Sequence, residues 1–230
     1  MNFFCCSEPI FRRKQHALDF QDRQGLLHFH LSVKHKTLFS NIYTRIDQVF
    51  VAWGLISAII FITAQFAPID WITQAIFWSF LTIIGTVAMI VLTHFWVKVE
   101  RLRWVLYSWV FLMLGGVLIT DLGILLGWGQ VLMHLCHLWL SLSAIGYFCT
   151  GWGLRSRAFI VAGLWHILGI VVLPYCLDWQ FLATGLIMTV NLLVFAETQW
   201  DMRLPIDNYA VLTEEQKAFN RQQYQLRKAS

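Results

Sequence analysis

The chain has 230 residues, of which 58% are hydrophobic, 16% aromatic and only 13% charged, with 17 basic against 13 acidic side chains and a formal net charge of +4. Soluble domains carry about a quarter charged residues. Together with a mean hydropathy of +0.60, this composition excludes disorder, a coiled coil and an ordinary water-soluble globule, and it predicts an all-α integral membrane protein of the multi-pass kind.

Residues 1–45 precede the first long apolar run, so no cleavable signal peptide is expected and the segment is predicted to stay in the cytoplasm, against the membrane or capping the bundle. Phe3, Phe4, Ile10 and Phe11 followed by Arg12-Arg13-Lys14 suit an interfacial anchor beside anionic headgroups. Residues 26–35 alternate apolar and polar through Phe29, Leu31 and Val33, which predicts a short extended strand. Cys5, Cys6, His16, His28, His30 and His35 are potential metal ligands, but only His30 and His35 have the spacing of a structural zinc site. Scattered interfacial side chains account for them better.

A helix needs roughly 20 apolar residues to cross a hydrocarbon core of about 30 Å. Polar and turn residues divide residues 46–200 into six such spans, at about 49–66, 71–97, 104–126, 130–150, 158–177 and 179–196. The links are short, so successive helices are predicted to be antiparallel neighbours. In the turns before the second and sixth spans, Pro68 and Pro174 end one helix, and Asp70 and Asp178 are placed to cap the next. In the 201–230 tail, Thr213 and Gln216 form a capping-box pattern that opens a final helix, predicted to be solvated or to face a partner.

Charge placement gives the orientation. Every Lys and Arg falls in the N-terminal segment, at 98–103, at Arg155 and Arg157, or after residue 197, whereas the opposite ends carry Asp70, Asp121 and Asp178 and no basic residue. The positive-inside rule then places both termini in the cytoplasm. Trp71, Trp128 and Trp179 at one boundary, and Trp96, Trp104, Trp152 and Trp200 at the other, read as interfacial belts. A bacterial cytoplasmic membrane or an internal membrane such as a thylakoid satisfies the same pattern.

Ionisable groups inside spans are costly and mark candidate sites. Asp121, His134, His137 and His166, with Asn191, form one candidate set; His134 and His137 share a helix face by their spacing of three. Imidazole and carboxylate suit zinc or iron, and paired histidines can hold a haem, but the pair lacks the glutamate of a zinc-protease motif. His94, Glu100, Arg155, Arg157, Glu197 and Asp201 form a second set at the cytoplasmic ends, suited to ion pairing or docking. The free cysteines Cys136, Cys149 and Cys176 have no redox spacing.

No nucleotide-binding loop, nucleophile elbow or dinucleotide fingerprint is present in the sequence, and nothing supports nucleic-acid binding. The balance therefore leans away from an enzyme. The favoured function is a non-catalytic interaction, assembly or accessory subunit of a membrane complex, with the lipid bilayer and other membrane proteins as partners. One alternative is a small-solute transporter or channel with a polar path through Asn191, His166, His137 and Asp121. The other is a metal, haem or pigment protein ligated by His134, His137 and His166.

Overall fold

The computed structural model describes residues 9–33, 36–203 and 211–229; Phe3, Phe4, Cys5, Cys6 and His35 lie outside them. The described chain is mostly helical. In order it contains strand β1 (Phe11–Arg12), the one-turn helix α1 (Phe20–Arg23), strands β2 (Leu27–Val33) and β3 (Lys36–Tyr43), and helices α2 (Arg45–Phe66), α3 (Trp71–Val99) and α4 (Arg103–Leu125). The single turn α5 (Gly129–Leu132) leads into α6 (Leu135–Leu154) and α7 (Arg157–Val172). Then come α8 (Gln180–Glu197), strand β4 (Gln199–Trp200) and α9 (Glu214–Ala229).

Among the described residues, five helical stretches are long and apolar enough to cross a membrane: α2, α3, α4, α7 with its 3-10 extension to Tyr175, and Leu177–Glu197, which contains α8. The predicted fourth span at 130–150 is shifted and is not among them. Its chain makes the short turn α5 and breaks at Met133 and His134 before α6 begins. Ser141, Ser143, Gly146, Thr150, Gly151 and Gly153 lower the hydropathy of α6, and most of these small residues are buried where helices meet.

Local chemistry sets the helix ends. α2 starts at Arg45, earlier than the hydropathy suggests, because Thr44 and Asp47 close a reciprocal capping box, with bonds of 2.8 and 3.2 Å. Asp70 caps α3 as expected, accepting from Thr73 N at 2.9 Å. Asp178 does not cap α8; Gln65 of the neighbouring α2 does so, accepting from Leu182 N at 3.2 Å while donating to Asp178 O at 2.9 Å. Pro174 ends the α-helical part of α7 at Val172, short of the predicted 177.

α2 packs against α8 and α3, α3 against α4, α4 against α6, and α6 meets α8, which closes a ring of five helices; α7 sits outside, on α6 and α8. Glycines allow the closest approaches. A Cβ on Gly185 would stand 2.6 Å from the Cβ of Phe61, an atom fixed to the α2 backbone. Gly185→Val is therefore expected to force α2 from α8 and cost about 1–3 kcal/mol, read as a lowered thermal midpoint in detergent. Gly115→Ala, where nothing lies within 4 Å, is the matched control and should leave the midpoint in place.

The segments outside the ring form a terminal layer over one end of it, here the near end. β1 pairs with β4, matching Phe11 to Trp200, and β2 pairs with β3. The predicted strand at 26–35 is thus the first arm of a hairpin. Ile10, Trp200 and Met202 pack on the near-end core around Phe159 and Phe195. α9 keeps its predicted cap, Thr213 N to Gln216 Oε1 at 3.0 Å and Gln216 N to Thr213 Oγ1 at 3.3 Å. One face of it is docked, with Lys217 and Asn220 buried and α9 lying against α1, and the opposite face is exposed.

Candidate functional site: an axial cavity beneath a polar layer

The polar residues singled out within the helices do not converge as one constellation. Asp121 of α4 turns to α3, where its carboxylate accepts from Ser79 Oγ at 2.8 and 3.0 Å. His134 is exposed at the break before α6 and donates from Nδ1 to Gln130 O at 2.8 Å; its ring lies 5.3 Å from that of His137. His166 is fully buried on α7, donates from Nδ1 to Ala162 O at 2.8 Å, and stands 4.9 Å from the ring of Tyr147. Asn191 approaches the same tyrosine from α8. Only His134 with His137, and His166 with Asn191 about Tyr147, are brought together. Among the described residues no three His, Cys, Asp or Glu side chains group closely enough to hold a metal ion.

What the ring helices do leave between them is an elongated, partly open cavity of about 170 Å³. Its lining runs from Ile46, Trp96 and Trp200 at the near end to Ala64, Asp121 and Phe181 at the far end. The core is correspondingly divided into a near-end cluster around Phe159, a far-end cluster around Leu140 and a small one around Trp78. The wall is aromatic and aliphatic, with Phe50, Trp53, Phe61, Met89, Trp109 and Met113 prominent. Three of its threonines are neutralised by their own helices, Thr82 donating to Trp78 O, Thr93 to Met89 O and Thr150 to Gly146 O, each at 2.8 Å, whereas Thr120 Oγ1 is buried without a hydrogen-bond partner.

The second candidate set divides among several partners in the terminal layer. Asp201, 2% exposed, accepts from Ser156 Oγ, Arg157 N, Ala158 N and Arg157 Nε at 2.9–3.0 Å. It thereby caps α7 and ties down the chain leaving β4. Glu197 instead accepts from Asn41 Nδ2 at 2.8 Å and from the Tyr43 hydroxyl. Glu100, 1% exposed, accepts from Gln21 Nε2 at 3.0 Å, and Gln21 Oε1 in turn accepts from Asn220 Nδ2 at 3.0 Å. Arg203 donates to Glu100 O. His94 is exposed.

Two carboxyls in this layer are held far from their ordinary range. Burial, with Asp19 nearby, raises Asp22 to about 7 against a bond from Trp96 Nε1. Burial, with Asp22 nearby, raises Glu100 to about 7 against the pull of Arg203. In the unfolded chain both titrate near ~4, so the folded layer holds protons that the unfolded chain has released. The stability this supplies is fully present below pH ~4 and is lost as pH rises through about 7. The thermal midpoint is expected to fall between pH 5 and 8.5 in steps of one buffer series, and Glu100→Gln should flatten that slope. A midpoint that climbs across the window would contradict the assignment.

A second hollow, of about 420 Å³, lies within the terminal layer and shares Ile46, Trp96 and Trp200 with the axial cavity. Arg12, Arg13, Lys14, Arg203 and Arg227 line it together with Asp19, Asp22, Asp47 and Glu197. Lys14 pairs with Asp47 at 2.9 Å, and Arg227 grips both oxygens of Asp19 at 2.9 and 3.1 Å.

Sequence reasoning missed Gln21, Asp22, Tyr43, Asn220 and Arg227, because nothing local joins residues that lie up to 210 positions apart. The Thr44–Asp47 box was missed too, although it carries a local signal, a Thr-x-x-Asp pattern before an apolar run. Comparison with known protein families, with curated proteins and with solved structures yields no match for this chain.

Proposed function

We propose that the chain is a multi-pass membrane protein with six spans, α6 included, and with both termini on the cytoplasmic side. Within that membrane, bacterial cytoplasmic or internal, it serves as a non-catalytic accessory or assembly component of a complex. Several features support the topology. α6 has twenty residues, enough to cross a hydrocarbon core, and its least apolar face is turned into the bundle. The basic residues gather at the near end, and the far-end turns carry acids alone.

The observation that carries the accessory role is the construction of the terminal layer. Its buried charges join helices and termini: Asp201 holds α7, Glu100 holds the N-terminal segment, and Asp19 holds α9 through Arg227. The result is a fixed platform. One face of α9 is docked through Lys217 and Asn220, and the opposite face presents Glu215, Ala218, Arg221, Gln222 and Gln225 outward.

The test is assembly size. Extracted gently from its native membrane, the protein should migrate in a stoichiometric complex larger than the same chain expressed in a foreign membrane. Substituting Ala218, Gln222 and Gln225 by Glu should return it to the smaller size without moving its thermal midpoint. A lone, monodisperse chain from native membranes would overturn the role.

A further inference from the structure

The wall of the axial cavity combines an aromatic surface with a charge of one sign. Trp53, Trp78, Trp96, Trp109, Trp139 and Tyr147 all contribute to it. Among its described lining residues there is no Lys, Arg or His, and Asp121 is the single carboxylate. That carboxylate does not serve its own helix. Asp121 lies about one turn from the C-terminal end of α4, where the macrodipole is negative and favours cations. Among the described residues no basic side chain pairs with it. Ser79 Oγ is its one donor there, at 2.8 and 3.0 Å, although an ionised carboxylate can accept at about four positions.

The preceding residue points the same way. Thr120 is 5% exposed, and its Oγ1, on the same wall, has no hydrogen-bond partner, a costly state for a buried hydroxyl. The far end of the cavity is thus a polar patch short of donors, set in an apolar wall. Charge along the ring adds to this: basic residues gather at the near end and the far-end turns carry acids alone, so a cation is drawn to the far end. The indole of Trp78 is fixed there, donating from Nε1 to Thr63 Oγ1 at 3.0 Å and standing 5.9 Å from the Trp71 ring. Indole faces attract ammonium groups. Size completes the description: a cavity of roughly 150 Å³ takes up benzene, so about 170 Å³ admits one molecule of that order.

We propose that the cavity binds one small protonated amine, a primary or secondary ammonium on an apolar body of about benzene's size, with its nitrogen at Asp121 and its body against the aromatic wall. Such a ligand supplies both the positive charge and the N–H donors that Asp121 and Thr120 can accept. A quaternary ammonium brings the charge without the donors. A hard divalent cation needs about six oxygen ligands, where this wall offers one carboxylate and a few hydroxyls. The site goes beyond the accessory role and does not rest on it, so assembly size and amine binding succeed or fail independently.

The test is calorimetric titration of the full chain in uncharged maltoside micelles near neutral pH, with benzylamine as the probe. After subtraction of empty micelles, the heat should saturate at one amine per chain. Benzyl alcohol, of the same shape without the charge, should bind at least about tenfold more weakly, the factor that a charge-assisted hydrogen bond supplies. N-methylpyridinium, charged but without an N–H, should bind several-fold more weakly than benzylamine. Phosphatidylethanolamine carries the same ammonium on a lipid headgroup, but its phosphate would meet Asp121, and it should not compete. Asp121→Asn keeps an acceptor for Ser79, so its thermal midpoint should hold while benzylamine binding falls at least tenfold. Ala64→Phe fills the far end from a partly exposed wall position and should abolish saturable binding. Heat that never saturates, equal affinity for benzyl alcohol or N-methylpyridinium, displacement by phosphatidylethanolamine, or undiminished binding by a folded Asp121→Asn variant would each overturn the assignment.

Discussion

Replacing Asp201 by alanine is expected to destabilise the folded chain by about 3–5 kcal/mol, the usual cost of removing one partner from a buried ion pair. The carboxylate is almost wholly buried and accepts four hydrogen bonds at 2.9–3.0 Å. Two of them come from the first free amides of α7, which the macrodipole makes especially receptive to a negative charge. Alanine leaves the N-terminus of α7 uncapped and strips Arg157 of its carboxylate. It also releases the chain at the point where Asp201 N donates to Ile10 O at 3.1 Å and Arg203 N to Leu154 O at 2.8 Å. Asn should recover part of the loss, since its amide offers one acceptor oxygen where the carboxylate offers two. Thermal unfolding in detergent, followed by tryptophan fluorescence, measures the series. An alanine variant as stable as the parent would remove Asp201 from the centre of the terminal layer.

Phe159→Ala is expected to cost a similar amount, about 3–5 kcal/mol, by a different mechanism. Its ring is 2% exposed and sits 4.4 Å from Phe195 and 4.8 Å from Trp200, with Tyr147 and Phe50 farther out at 6.3 and 6.2 Å. These five rings come from α7, α8, β4, α6 and α2, so one side chain joins the outer helix, the ring and the terminal layer. Truncation opens a void that stiff aromatic neighbours cannot close. The effect should exceed that of Phe181→Ala, whose ring is only partly buried at the far end. Equal losses at the two positions would mean that the aromatic cluster is not the keystone of the near end.

Much of this architecture was legible in the sequence because scarcity of charge leaves a clean signal. The apolar runs located α2, α3, α4, α7 and α8, and Asp70 and Thr213 announced their caps through local chemistry alone. α6 was harder. Its run of small and hydroxylated residues lowers the hydropathy at the very positions that pack, and His134 stands at the cap position just before the helix, its ring still beside that of His137. Asp178 looked like the equivalent of Asp70 but gives way to Gln65, a residue 113 positions distant on the neighbouring helix α2. The candidate sites suffered most. Asp121, His137 and His166 were grouped as ionisable residues inside the spans, yet rotation about each helix axis decides which groups meet, and Asp121 turns to Ser79 while His166 turns to Tyr147. The axial cavity left no trace at all, since it is made of ordinary apolar side chains that together leave space.

Six spans with both termini inside is the claim on which the rest stands, and thiol labelling tests it most directly. In a chain freed of its native cysteines, single cysteines replace Arg13, Ile69, Gly127, Arg155 and Ala218, all exposed, and intact cells are treated with a membrane-impermeant reagent. The positions at 69 and 127 should react at once, and those at 13, 155 and 218 only after permeabilisation. Reaction of positions 127 and 155 from the same side would mean that α6 does not cross, and would contradict the topology.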